Sequence, residues 1–169
     1  MTKRFVPVIH GAALDRPDEQ DTIDAAERIA TSLANLGFDT EVVHVGPGLE
    51  ALDRLTGRTP FVVFNLVEAL DGLARNALDA VQRLEELGLH YTGVRAGAYQ
   101  AANGKLSTKA CFARNGIPSP AHWLTGESVP PDMKVIVKSV DEHGSLGMDA
   151  ASVVSGSDAG AGKRDKSKP

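Results

Sequence analysis

The chain has 169 residues, of which 42% are hydrophobic and 24% charged, and a formal net charge of −4 at pH 7. This composition is ordinary for a soluble globular protein, and the acidic balance argues against nucleic acid as a partner. The single cysteine, Cys111, excludes an internal disulfide and a cysteine-based zinc site and is typical of a reducing compartment. No apolar run approaches the roughly 18–20 residues of a membrane span, so we expect a cytoplasmic protein with one full domain, or one domain and part of another.

Strand and helix patterns alternate along the first part of the chain. The predicted order is a strand at 5–10, a helix from an N-cap at Asp21 to Gly37, a strand at 38–45, a weak helix at 49–55, the most apolar strand at 61–66, a helix whose apolar face carries Leu78, Val81, Leu84 and Leu87, and a short strand ending at 91–93. Pro7 lies inside the first strand and favours an edge strand or a strand start. Short connections between these elements are typical of a parallel sheet with helices packed on it.

The pattern changes after about residue 100. The predicted elements are a helix at 104–115, an extended linker at 117–120, strands of an antiparallel sheet at 122–124 and 134–138, and a short strand at 151–154. In the helix, Leu106, Ala110 and Ala113 are expected to face inward. The last fifteen residues, 155–169, are rich in small and charged residues and predict a disordered tail.

The most informative stretch of the chain, at 135–147, has the order of residues that suits a polyphosphate ligand. A β-branched run leads to Lys138, and a turn then brings Glu142 and the loop Gly144-Ser145-Leu146-Gly147. The strand fixes the ammonium group, and the glycines let backbone N–H groups approach phosphate oxygens. The loop is not a Walker A motif, because the lysine precedes the glycines. The alternative is an ordinary hairpin turn with Lys138 extending into water.

Polar residues also follow the predicted parallel strands. Asn65 and Glu68 come after the most apolar strand, whose carboxyl end faces the binding crevice in open α/β sheets, and His10 ends the first strand. Helix N-capping is the alternative role for Asn65 and Glu68. Lys105 opens the predicted helix, where a lysine is usually a solvated charge. The five histidines include no i, i+4 pair, so no histidine-based metal centre is predicted.

Five short segments follow one another along the chain: FNLVE at 64–68, LGLHYTG at 87–93, KLSTK at 105–109, NGIPSP at 115–120 and VIVKSVDEHGSLG at 135–147. Together, in this order and at this spacing, they resemble the ATP-grasp ligases of the D-alanine–D-alanine ligase type. The resemblance covers residues 1 to about 154. It implies an α/β chain with a Rossmann-like pre-ATP-grasp domain at 1–100 and a partial α+β ATP-grasp subdomain with antiparallel strands at 101–154, before the tail at 155–169.

The resemblance also implies an activity and a set of contacts. The activity would be ATP-dependent formation of an amide bond between a carboxylate and an amine, through an acyl phosphate. The expected nucleotide-binding residues are Lys105, Lys138, Glu142, Gly144, Ser145 and Gly147. Weaker candidates for the substrate, an amino acid or another carboxylate, are His10, Asn65 and Glu68. ATP and Mg²⁺ are the implied cofactors; no nucleic acid or membrane partner is expected, and homodimerisation is left open.

Several positions depart from the family pattern. Gly104 stands where an aspartate usually precedes the first lysine, and Ser139 where a proline usually follows the second. Asn76 falls near an expected glutamate, and the segment that grips the first substrate is not recognisable around 17–23. The nucleotide half of the resemblance is therefore better matched than the substrate half.

The length also differs, since such a ligase needs roughly another ~150 residues, which would carry the magnesium ligands. We therefore expect a truncated or frameshifted N-terminal part that is inactive alone. A non-catalytic α/β module that binds a ligand or partner is the alternative. A third hypothesis is a free-standing doubly wound domain that only resembles the start of such a ligase.

Overall fold

The computed structural model describes residues 2–11, 19–125, 127–140 and 148–159. The chain divides into two compact units, unit 1 (Met1–Asn103) and unit 2 (Gly104–Pro169). Unit 1 contains β1 (Phe5–His10), α1 (Gln20–Asn35), β2 (Asp39–His44), α2 (Glu50–Leu55), β3 (Phe64–Asn65), α3 (Ala77–Glu86) and α4 (Ala96–Asn103). Unit 2 contains α5 (Lys105–Arg114), β4 (Lys134–Ile136), β5 (Val153–Ser155) and α6 (Gly156–Ala159). None of the helices in these described ranges is long and apolar enough to cross a membrane.

Unit 1 is built on a parallel sheet with the strand order β2-β1-β3. The central strand β1 is buried at all six positions, because helices cover both faces of the sheet. On one face, Phe5 and Ile9 join a core formed with residues of α2 and α3, including Leu52, Leu55, Ala80 and Leu84. Side chains alternate along a strand, so Val6, Val8 and His10 project to the other face, where α1 packs on β1 and β2.

The prediction from Pro7 is wrong, since β1 is the central strand of the sheet. The carbonyl of Phe5 accepts a hydrogen bond from the Phe61 N–H at 2.8 Å, and that of Ile9 from the Leu66 N–H at 2.9 Å. Alternate residues of β1 therefore direct their backbone groups toward β3, and Pro7 belongs to this set. Because the ladder with β3 covers only the two following positions, the missing N–H of Pro7 faces no strand residue.

The third strand is much shorter than its apolar sequence predicts. Only Phe64–Asn65 pairs with β1, while Phe61 is 48% exposed and lies under the Arg4 guanidinium. The short strand predicted to end at 91–93 is present as a single parallel bridge between Val63 and Tyr91. The predicted fourth strand is thus reduced to one bridged residue pair.

Unit 2 has an antiparallel pair, but its partners differ from the predicted ones. Residues 122–124 form no strand, and β4 pairs instead with β5 through Val135 opposite Val154. The inward face predicted for α5 is also wrong: Leu106, Ala110 and Ala113 are all exposed, and no residue of this helix is fully buried. Secondary structure is also present after residue 154, since Ser155 closes β5 and α6 follows it.

The predicted fold class is confirmed, because an α/β unit with a parallel sheet precedes a unit with a small antiparallel sheet. The boundaries at residues 100 and 154 stay predictions. Residues 160–169 of the predicted tail lie outside the described part of the chain.

Candidate functional site

Two histidines meet at the carboxyl edge of the unit 1 sheet. His10 ends β1 and His44 ends β2, directly opposite each other in the register, with ring centroids 5.4 Å apart and ring planes at 61°. His44 is exposed, whereas His10 is only 3% exposed. Burial first, and then the charge of His44, lower the pKa of His10, so its imidazole is neutral at pH 7. Its buried Nδ1 has no hydrogen-bond partner within the described ranges.

The chain after β1 approaches the backbone that follows β3 very closely. A Cβ atom placed on Gly11 would lie 2.0 Å from the carbonyl oxygen of Ala69 and 2.9 Å from Cδ2 of Leu70. Only glycine fits this contact. Gly11 therefore holds the loop that carries Glu68 against the end of the central strand.

Asn65 shapes the turn that leaves β3. Its Oδ1 accepts a hydrogen bond from the Val67 N–H at 3.0 Å, and its own N–H donates to Thr92 Oγ1 at 3.0 Å. The side chain thus caps a turn rather than a helix. Asn65 is aligned with Ile9, so it projects to the face of the sheet opposite His10. The structure places both predicted residues at the carboxyl edge, but on different faces.

A tyrosine that the sequence did not indicate lies beside Glu68. Tyr99, on α4, packs against the core of the unit 1 sheet. Burial first, and then the nearby Glu68 carboxylate, raise the pKa of the Tyr99 phenol. Glu68 itself is exposed. The Tyr99–Glu68 pair offers a hydrogen-bond donor and an anionic acceptor, which can bind the carboxyl and amino groups of a small polar ligand.

Helix α4 is positioned through one carboxylate. Glu85 Oε1 accepts hydrogen bonds from the Tyr91 hydroxyl at 2.8 Å and from the Ala96 N–H at the start of α4 at 3.2 Å. Burial and this bond to Glu85 raise the pKa of Tyr91 to about 12. The α4 sequence, AGAYQAAN, has no apolar stripe, so this helix was not predicted from the sequence.

In unit 2, both lysines predicted to bind phosphate are associated with the segment that ends at Val140. Lys105, the first residue of α5, has its Nζ 3.5 Å from the carbonyl oxygen of Val140. Lys138, two residues before Val140, is exposed. Lys109 has another role, since its Nζ donates to the carbonyl of Pro120 at 2.6 Å and fastens the linker after α5.

An open apolar pair lies beside Lys138. Ile136 stands opposite Val153 in the β4–β5 ladder, and the two are 48% and 52% exposed. The pairing continues one residue further, because the Val137 N–H donates to the Ser152 carbonyl at 2.8 Å. Because side chains alternate between the two faces along a strand, Lys138 projects to the same face as Ile136. An exposed apolar surface beside an ammonium group fits a ligand that carries both a flat ring and a phosphate.

Four predicted nucleotide-binding residues, Glu142, Gly144, Ser145 and Gly147, lie outside the described residues. Within the described ranges, no three His, Cys, Asp or Glu side chains come close enough together to hold a metal ion. The fit of the described residues to ATP therefore depends on the two lysines and the Ile136–Val153 pair.

The folds of the two units define a Rossmann-like α/β protein with an added antiparallel element. Comparisons with known proteins narrow the class of protein that this chain resembles. No family model matches the chain. Curated relatives include D-alanine–D-alanine ligases of Acidiphilium cryptum (28% identity over 156 residues), Moorella thermoacetica (31% over 117) and Alcanivorax borkumensis (29% over 129). These matches cover 86%, 65% and 75% of this chain.

The same alignments cover only 48%, 36% and 39% of the three relatives, so the chain spans less than half of their length. Among solved structures, the D-alanine–D-alanine ligase of Bacillus anthracis superimposes with a TM-score of 0.54 at 16% identity. That match covers 71% of this chain and 37% of the other, and it shows a shared fold. The resemblance predicted from the sequence is confirmed: in sequence and in fold, the chain is similar to part of the D-alanine–D-alanine ligases.

Proposed function

We propose that this chain supplies nucleotide-binding and substrate-binding parts of an ATP-dependent carboxylate–amine ligase of the D-alanine–D-alanine type. The observation that carries this proposal is that the Nζ of Lys105 lies 3.5 Å from the carbonyl oxygen of Val140, which is two residues after Lys138. Two ammonium groups at one loop can offset much of the charge of a triphosphate. The names and fold of the relatives support the same assignment.

The nucleotide base would lie on the Ile136–Val153 pair, with its phosphates directed toward Lys138. Burying an aromatic ring on this surface removes apolar area from water, and the lysine sets the orientation of the ligand. ATP would supply the phosphoryl group that activates a carboxylate, and attack by an amine would then release phosphate. Residues Glu142, Gly144, Ser145 and Gly147 are proposed to complete the phosphate contacts, and Mg²⁺ is proposed to neutralise the remaining charge.

The substrate side is proposed to lie at the carboxyl edge of the unit 1 sheet, around Asn65, Glu68 and Tyr99. A carboxylate and a phenol suit an ammonium and a carboxylate of an amino acid, which is the substrate class that the names of the relatives indicate. His10 projects to the other face of the sheet, so it is the weaker member of the predicted set.

Binding of MgATP by the full chain, measured by isothermal titration calorimetry, tests the nucleotide part. Lys138→Ala should weaken binding about tenfold to a hundredfold, since a hydrogen bond to a charged group contributes about 1.5–3 kcal/mol. Lys134→Ala is the matched control, because Lys134 is also exposed and lies on the same face of β4. Equal losses in the two variants, or no loss in either, would contradict the proposal.

A second candidate is a non-catalytic module in which unit 1 binds a small ligand or partner. The observation in its favour is that every buried hydrophobic side chain in the described ranges belongs to unit 1. Phosphate release from ATP that depends on D-alanine and is lost in Lys138→Ala would favour the ligase. Binding of an amino acid to unit 1, unaffected by Lys138→Ala and without phosphate release, would favour the module.

A further inference from the structure

The His10–His44 pair has the spacing of two ligands on one metal ion. With metal–nitrogen bonds of about 2.0–2.1 Å, two imidazoles on a tetrahedral ion place their ring centroids about 5 Å apart. The observed separation is 5.4 Å. The two residues are held at this distance by the backbone, because they are aligned partners at the ends of adjacent hydrogen-bonded strands.

The buried side of the pair is chemically incomplete. His10 is almost fully buried, and its Nδ1 finds no hydrogen-bond partner in the described part of the chain. A buried polar atom without a partner costs about 1–3 kcal/mol, and a bound water or ion is one explanation for such an atom in a native structure. With no hydrogen bond at Nδ1, either ring nitrogen of His10 is able to carry the lone pair that a metal needs.

We propose that His10 and His44 form a binding site for one transition-metal ion of the Zn²⁺, Ni²⁺ or Cu²⁺ class. Imidazole nitrogen is a preferred ligand for these ions, and it binds them in the neutral form. The described residues offer no third protein ligand nearby, and the exposed His44 gives the ion access to the pair from solvent. The site lies on the α1 face, away from Asn65, so it does not depend on the ligase assignment.

Titration of the untagged full chain with Zn²⁺ at pH 7.5, followed by calorimetry and by histidine NMR signals, tests this site. We expect one ion per chain at this site, with simultaneous shifts of the His10 and His44 imidazole signals. His44→Ala should weaken binding at least tenfold and should fold normally, because His44 is exposed. His90→Ala, at another exposed histidine of unit 1, should bind Zn²⁺ as the unchanged chain does.

Thermal unfolding provides a second readout. Zn²⁺ should raise the melting temperature of the unchanged chain and of His90→Ala, because an ion that binds only the folded state stabilises it, and it should not raise that of His44→Ala. Equal Zn²⁺ affinity in His44→Ala and the unchanged chain would overturn the proposal. So would unshifted His10 and His44 signals at about 1 mM Zn²⁺, a concentration that populates even millimolar sites.

Discussion

Replacing Gly11 with alanine should destabilise unit 1, because the end of β1 and the loop after β3 leave no room for a methyl group. The new Cβ would lie 2.0 Å from a backbone oxygen of Ala69, against the usual contact of about 3.5 Å. One backbone segment must therefore move by more than an ångström. Forcing extra atoms into a packed site typically costs about 1–3 kcal/mol, and we expect the upper part of this range because the contacted atom belongs to the backbone.

Urea unfolding followed by far-ultraviolet circular dichroism measures this cost. With a denaturant slope of about 1–3 kcal/mol/M, a loss of about 2–3 kcal/mol lowers the midpoint by about 1 M or more. Gly46→Ala is the matched control: Gly46 follows the end of β2 and does not have a positive φ, and a methyl group added there would meet no atom within 4 Å. Its midpoint should stay unchanged or rise slightly. Equal midpoints for Gly11→Ala and Gly46→Ala would refute the close approach of β1 to the Glu68 loop.

Three further predictions concern the core and the titrating groups of unit 1. Leu84→Ala should cost about 2–5 kcal/mol in urea unfolding, whereas Leu36→Ala, at a residue that is 75% exposed, should change stability by less than about 0.5 kcal/mol. Because the pKa of His10 is lowered from 6.5 in the folded state, the unfolded chain binds more protons, so stability should fall as the pH drops below this value; a His10→Gln variant should lose less over the same range. In a Tyr99→Phe variant, Tyr91 is the only tyrosine, and its absorbance titration should have a midpoint near 12, while a midpoint near 10 would contradict its bond to Glu85.

Local pattern was enough to predict the framework of unit 1. The apolar run at 5–10 predicts β1, and helical spacing predicts α1 and α3 to within a few residues, since each element buries a continuous face. The edge-strand prediction from Pro7 was wrong because the effect of a proline depends on which neighbour its missing N–H faces. The register of strands that are distant in sequence determines that neighbour. The partner of β4 was likewise decided by tertiary pairing, which the sequence around 122–124 does not encode.

The candidate sites also contain residues that local sequence predicts and residues that only tertiary structure brings together. Lys105 and Lys138 were predicted from the sequence because each lies within a recognisable segment, and their nucleotide-binding role stays a prediction. The pairing of His10 with His44 arises from parallel register, and the position of Tyr99 beside Glu68 arises from the packing of α4, so neither leaves a local pattern. Helical spacing does not detect a histidine pair that two strands bring together, and whether the pair binds a metal is a proposal.

Protection of lysines by ATP is the most direct test of the proposed nucleotide site. The full chain would be treated with an amine-reactive acetylating reagent, with and without MgATP, and the modification of each lysine measured by mass spectrometry. The account predicts that ATP protects Lys105 and Lys138 and leaves Lys3 and Lys134, both exposed, as reactive as before. Protection of all four lysines to the same extent, or of none, would contradict it.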